Sequence, residues 1–274
     1  MDNSTSPAGG KVLVFDSGLG GLTVLREIAR ARSDLDLSLV ADDAAFPYGR
    51  LDDRAMIARV EAVLDRFIEA LRPRLVVIAC NTASTLALPI LRARFPIPFV
   101  GTVPAIKPAS AQSKTKRISV LATSATVRRD YTRDLIREFA NGCRVTLVSA
   151  EWLASFAEAA LRGEPVDDGA IQAEIGACFV DDEGRTDTVV LACTHYPLIL
   201  GHLEKLAPWP VTWLDPAPAI ARRASQLLGS ERAVKGAPAR AYFTSGNRPS
   251  PALTRALADF GVAFAEEEPI RVPV

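Results

Sequence analysis

The sequence has no surplus of charge of either sign. Its 32 basic and 32 acidic residues cancel, and neither kind gathers into a stripe or a tail. A nucleic-acid surface or an acidic docking tail is therefore not expected, and electrostatics leaves the substrate open. Long apolar runs are also missing. None reaches the roughly 18 residues that a membrane-crossing helix requires, so no membrane partner is expected. The polar start, residues 1–10, lacks the apolar centre of a secretory signal and reads as a flexible lead-in. The expected location is the cytoplasm.

Cysteine and histidine are scarce. The four cysteines are Cys80, Cys143, Cys178 and Cys193, and the only histidines are His195 and His202. The cysteine spacings match neither a zinc ribbon nor a CxxC redox pair. In a reducing compartment free thiols are expected, and the ordinary role of each is that of a small buried apolar side chain.

Apolar residues, at 49%, are plentiful enough for a substantial core. Short runs rich in Val, Ile and Leu alternate with longer amphipathic segments. Lys11–Phe15, Leu37–Ala41, Leu75–Ala79, Arg117–Ala122, Arg144–Ser149, Thr188–Ala192, Val211–Leu214 and Ala239–Thr244 read as strands. Helical spacing marks Leu22–Arg32, Asp52–Leu71, Ala83–Phe95, Ala125–Phe139, Glu151–Leu161, Gly169–Val180, Leu198–Leu206, Pro218–Leu228 and Pro251–Phe260. Alternating elements with all-apolar strands predict an α/β fold of mainly parallel sheets flanked by helices. Such sheets carry their sites just past the carboxyl ends of the strands.

A faint internal repeat is present. Val76-Val77-Ile78-Ala79-Cys80-Asn81-Thr82 resembles Val189-Val190-Leu191-Ala192-Cys193-Thr194-His195, and Val12–Ser17 parallels Ser119–Ser124. Two similar lobes with a site in the cleft between them are expected. Proline-rich stretches at Phe95–Pro108 and Ala207–Pro218 mark the crossings. They predict a first lobe of residues 11–103 plus 211–274 and an inserted second lobe of residues 104–210.

Four segments concentrate polar chemistry at strand ends: Phe15-Asp16-Ser17-Gly18-Leu19-Gly20-Gly21, Pro47-Tyr48-Gly49, Cys80-Asn81-Thr82-Ala83-Ser84 and Cys193-Thr194-His195-Tyr196-Pro197. From the residues alone, Asp16 also fits a helix cap, His195 a loop histidine bonded to backbone, and the small polar residues ordinary turn chemistry. The set together resembles the signature of the aspartate/glutamate racemase superfamily, and within it most closely the glutamate racemases. The likeness runs from about Lys11 to Ser225, with a weaker match around Tyr242–Gly246.

The resemblance implies an isomerase that interconverts L- and D-glutamate without a cofactor, supplying D-glutamate for peptidoglycan and so for cell shape. No pyridoxal phosphate is implied. Racemisation needs one group to remove the α-proton and another to deliver a proton from the opposite face, and two thiols on opposing strand ends suit that task. By resemblance, Cys80 and Cys193 are those groups, with Asp16 assisting the first and His195 the second. Ser17, Tyr48, Gly49, Asn81, Thr82 and Thr194, together with Asp16 and His195, match substrate-binding positions. Thr123 and Thr126 match a segment with less direct contact, for which a helix cap is an equal reading. A homodimer is the family's expectation. The segment Ala41–Phe46 lacks the Thr and Arg often found before Pro-Tyr-Gly, and Leu147–Trp152 lacks the usual Pro-Leu-Val-Glu character, so the pocket's side-chain selectivity is the least determined feature.

Other classes remain to be weighed. An aspartate racemase or broad amino-acid racemase would share the two-thiol chemistry. Cys80, Cys193 and His195 are the residue types of a catalytic zinc site. Gly18-Leu19-Gly20-Gly21 follows a strand as phosphate loops do, though it lacks both GxGxxG and the GK[ST] ending. A non-catalytic amino-acid binder would also have two lobes, but would not need a cysteine from each.

Overall fold

The computed structural model describes residues 10–230 and 237–265. Nine of the ten residues of the expected lead-in, and the last nine residues of the chain, lie outside this range. The first stretch forms β1 (Lys11–Asp16), α1 (Gly21–Ala31), β2 (Asp36–Ala41), α2 (Asp53–Leu71), β3 (Leu75–Ile78), α3 (Asn81–Arg94) and β4 (Phe99–Gly101). A second stretch forms α4 (Ile106–Gln112), β5 (Arg117–Ala122), α5 (Ser124–Arg128), α6 (Asp130–Phe139), β6 (Arg144–Ser149), α7 (Leu153–Leu161) and α8 (Asp168–Ile175). It continues through a small hairpin, β7 (Asp181–Asp182) and β8 (Gly184–Arg185), to β9 (Thr188–Ala192), α9 (Leu200–Leu206) and β10 (Thr212–Leu214). The described chain closes with α10 (Ala217–Leu228), β11 (Ala239–Phe243), α11 (Pro251–Asp259) and β12 (Val262–Phe264).

The strands form a six-stranded sheet, β12-β11-β2-β1-β3-β4, and a four-stranded sheet, β10-β9-β5-β6. Every pairing in both is parallel. The order β2-β1-β3-β4 in the first sheet recurs as β6-β5-β9-β10 in the second, which is the structural counterpart of the repeat in the sequence. Parallel strands are covered on both faces, and the apolar runs match that. In the first sheet, Val12, Val14, Leu37 and Leu39 face the layer of α1, α10 and α11, while Leu13, Phe15, Val76 and Ile78 face α2 and α3. Such burial stabilises by roughly 25 cal/mol per Å² of apolar surface.

Three expectations need correction. The strand at Thr212–Leu214, assigned from the Ala207–Pro218 crossing to the first lobe, pairs with β9 in the second sheet. Trp213 anchors it there by packing edge-on against Phe179, so the chain returns to the first sheet only after β10. The helix expected over Ala125–Phe139 is broken at Arg129, whose backbone is extended at φ −70, ψ 133. Its guanidinium reaches across to Asp53 at 2.5 and 2.6 Å, and Thr132 ties the break by donating to the Thr126 carbonyl at 2.7 Å. The helix expected to reach Val180 ends at Ile175, followed by a tight turn and the β7–β8 hairpin. Among the described residues no helix is long and apolar enough to cross a membrane.

Candidate active site

β1 and β3 lie side by side, with Phe15 opposite Ile78, so their carboxyl ends present Asp16 and Cys80 together. Asp16 is fully buried. Its carboxylate accepts from the Gly18 amide at 3.2 Å and from the Thr194 hydroxyl at 3.0 Å. Burial drives its pKa up to about 6, against the pull of nearby His195. The cap of α1 is Gly20, with no side-chain cap bond, so the helix-cap reading of Asp16 fails. Cys80 caps α3 and donates to Ser17 Oγ at 3.5 Å. Burial, with Asp16 next, pushes its thiol up to about 12, while Ser17 and the Ala83 amide at the helix start act the other way.

The second sheet repeats the arrangement. β5 and β9 run in register, Ala122 opposite Ala192, and Cys193 follows. Its sulfur lies 3.8 Å from His195 Nδ1. The other ring nitrogen, Nε2, is 3.0 Å from Glu158 Oε1 and 3.2 Å from the Gly20 amide nitrogen. Burial opposes charge on the imidazole, but Cys193, Glu158 and Asp16 hold its pKa well above the ordinary range. Glu158 projects from α7 and also accepts the Leu19 amide at 2.6 Å. Burial disfavours its charge, yet His195, Leu19 and Arg162 keep its pKa below normal.

The glycine-rich loop is part of this packing. A Cβ on Gly18 would run into Glu158 and Phe46, and one on Gly20 into Thr194 and His195. The amides that a phosphate loop would offer already face Asp16, Glu158 and His195, which removes the basis of the nucleotide reading. Among the described residues no three of His, Cys, Asp and Glu are grouped as metal ligands, the trio Cys80, Cys193 and His195 included.

Tyr48 and Gly49 sit in the turn after β2. Tyr48 is buried and donates to Asp42 at 2.5 Å. Asp42, itself fully buried, also receives Arg59 Nη2 and Thr244 Oγ1, each at 2.6 Å. Gly49 packs beside Thr123. Thr82 of α3 meets Thr123 at 3.1 Å, and Thr123 meets Thr126 at the same distance while capping α5. These contacts bridge the two sheets. Asn81, beside Cys80, is buried, yet neither atom of its amide makes a hydrogen bond within the described protein. Cys178 is buried in the second core and Cys143 bonds weakly to the Ser110 carbonyl at 3.6 Å, so neither joins the site. His202 stays at the surface, paired with Asp168 at 2.8 Å.

Sequence reasoning passed over Glu158, Asp42 and Arg59. Glu158 carried a signal: it is the one charged residue in the apolar segment Leu153–Leu161. Asp42 lies one residue past β2, where a polar side chain in this fold class faces the site. Arg59 had no local signal.

The model for Asp/Glu/hydantoin racemase matches residues 15–224. The glutamate racemase of Brucella canis is 50% identical over 258 residues, covering 92% of this chain and 93% of that protein. The Escherichia coli glutamate racemase, solved with L-glutamate and the activator UDP-MurNAc-Ala, superposes with a TM-score of 0.85 at 38% identity, covering 93% of this chain and 96% of that one. The enzyme from Aquifex pyrophilus gives a TM-score of 0.70 at 27% identity, covering 93% and 98%. The two repeated strand ends, each carrying a cysteine beside an acid–base partner, thus occur in a chain that belongs to the Asp/Glu/hydantoin racemase family and, within it, to the glutamate racemases, isomerases acting on glutamate.

Proposed function

We propose that the chain interconverts L- and D-glutamate by two-base proton transfer at Cα, with Cys80 and Cys193 as the two bases and no cofactor. The observation that carries this reading is the placement of one cysteine after β3 and the other after β9, at matching positions of the two sheets, each with its own acid–base neighbour. Glutamate binds between lobes built on the two sheets. One thiolate removes the α-proton and the opposite thiol returns a proton to the other face. Asp16 is the group that accepts the Cys80 proton. His195 is the cation that favours the Cys193 thiolate. Asn81, Ser17, Thr82, Thr194, Tyr48 and Gly49 supply donors and close backbone for the substrate's charged groups. The product, D-glutamate, serves peptidoglycan synthesis in the cytoplasm, and the active species is a homodimer, both by family likeness.

Metal-stripped protein incubated with L-glutamate in deuterated water tests this directly. Loss of the α-proton together with appearance of D-glutamate is expected, with aspartate left unconverted. No exchange at glutamate would sink the reading. Cys80→Ser and Cys193→Ser should each lower turnover by ~10²–10⁴-fold, the range that a positioned acid–base group contributes, with the fold intact. A non-catalytic binder would keep its function in both variants.

A further inference from the structure

Behind His195, on the side away from the thiols, a chain of charges leads to the surface. His195 Nε2 meets Glu158 Oε1 at 3.0 Å, and Glu158 Oε2 meets Arg162 Nη2 at 2.8 Å. His195 and Glu158 are almost wholly buried, with side chains 2% and 3% exposed, whereas Arg162 is 37% exposed. Arg162 and Glu158 line one wall of a cavity of about 410 Å³, which also contains Phe46 and Arg248. The ring of Phe46 packs against His195 at 5.3 Å. Arg162 ends α7, one turn beyond Glu158, where a cation also complements the helix dipole. The Cys80 half is built differently: beside Ser17, Asp16 and the start of α3, Tyr48 donates to Asp42, which pairs with Arg59, so that chain carries no net charge.

We propose that Arg162 is a positioning residue for Cys193, acting through Glu158 and His195. With Arg162 in place, the guanidinium, the carboxylate and the imidazolium behind the sulfur sum to one positive charge. Without it they sum to zero, wherever the proton between Glu158 and His195 resides. A thiolate is favoured by net positive charge beside it, so losing Arg162 removes support for the Cys193 thiolate and lowers its reactivity. Glu158 Oε2 is buried and makes no hydrogen bond, and among the described residues Arg162 is its one ion-pair partner, so the loss leaves that oxygen uncompensated and loosens the carboxylate that fixes the imidazole ring. The other groups felt on this half are Asp16 at His195 and Tyr196 at Cys193, and the substitution leaves them unchanged. In this chain the two proton-transfer groups are therefore tuned by different means: Cys80 by a buried carboxylate and a helix start, Cys193 by a charge relay that reaches solvent.

The inference rests on the two-thiol reading for its effect on turnover, but its test does not need activity. Purified protein is treated with iodoacetamide near pH 7.5, and alkylation of Cys80, Cys143 and Cys193 is followed separately by peptide mass spectrometry. In Arg162→Gln, Cys193 should react ~10-fold more slowly, while Cys80 and Cys143 keep their rates. Arg162→Lys should restore most of the Cys193 rate. An unchanged Cys193 rate in Arg162→Gln, a parallel change at all three cysteines, failure of the Lys variant to restore the rate, or a native Cys193 slower than Cys143 would each overturn the proposal. Racemisation by Arg162→Gln should show a lower kcat with KM within about twofold, because the substrate's contacts are untouched. If Cys193 reactivity responds as expected but the native protein does not racemise glutamate, the charge relay stands and the assigned reaction falls.

Discussion

The Thr194 hydroxyl donates to Asp16 Oδ1 at 3.0 Å, joining the residue after one proposed catalytic cysteine to the carboxylate beside the other. The two halves are thus linked at the chemistry itself. Asp16 is buried completely, and that burial raises its pKa from 3.8 to about 6. The carboxylate is therefore costly to ionise where it stands, yet only the ionised form can take a proton from Cys80.

Asp16→Asn should accordingly separate stability from activity. Because the folded pKa lies above the unfolded one, Asp16's contribution to stability is fully present below pH ~4 and is lost as pH rises through ~6. The rise of about two units corresponds to at most roughly 3 kcal/mol. The variant should melt higher than the native protein at pH 8, and the gain should vanish near pH 4. Turnover should fall by ~10²-fold or more. Melting curves at the two pH values check the first part, and an equal or lower Tm at pH 8 would count against this account of Asp16.

The same shift sets the acid limb of catalysis. In the native protein kcat/KM should decline as pH falls through about 6, where Asp16 takes up a proton. Glu158 is held below the ordinary carboxylate range and stays ionised through that window. A pH–rate profile with no change between pH 5 and 7 would remove Asp16 from the proton path.

Gly18 and Gly20 face side chains of the second half so closely that a Cβ has no room. Gly20→Ala must displace Thr194 or His195, and Gly18→Ala must displace Glu158 or Phe46. Overpacking of this kind costs about 1–3 kcal/mol. Each variant should lose several degrees in Tm and most of its turnover. Native-like kinetics in both would show that the loop yields without moving the site.

The extent to which this was legible in sequence follows from the range of the forces involved. Most strands of the two sheets announced themselves because doubly covered parallel strands are largely apolar, and that pattern is local, whereas β12, three residues at a sheet edge, was too short to stand out. The strand-end motifs were legible for the same reason, since Asp16, Cys80 and Cys193 each follow such a run directly. The pairing of β10 was not legible, because three residues carry no register and the anchor, Phe179, lies far along the chain. Arg129's break in the α5–α6 segment depends on Asp53, more than seventy residues away. Glu158 joins the site only because α7 packs over the glycine loop. Its isolation in an apolar helix hinted at a buried partner without saying which.

Asn81 offers the clearest test of the substrate pocket. Its side chain is buried beside Cys80, and both amide atoms lack a hydrogen-bond partner in the described protein. A buried polar group left this way costs roughly 1–3 kcal/mol. Nothing in the described fold uses the amide at the first position of α3, where alanine is the better helix former. Asn81→Ala should therefore be as stable as the native protein or more so, while KM for glutamate rises by ~10-fold or more for the lost polar contact. Thermal melts and initial rates in both directions measure the two effects. A marked fall in Tm with an unchanged KM would mean that the amide serves the fold, and the donors for the substrate would then have to be sought among Ser17, Thr82 and Thr194.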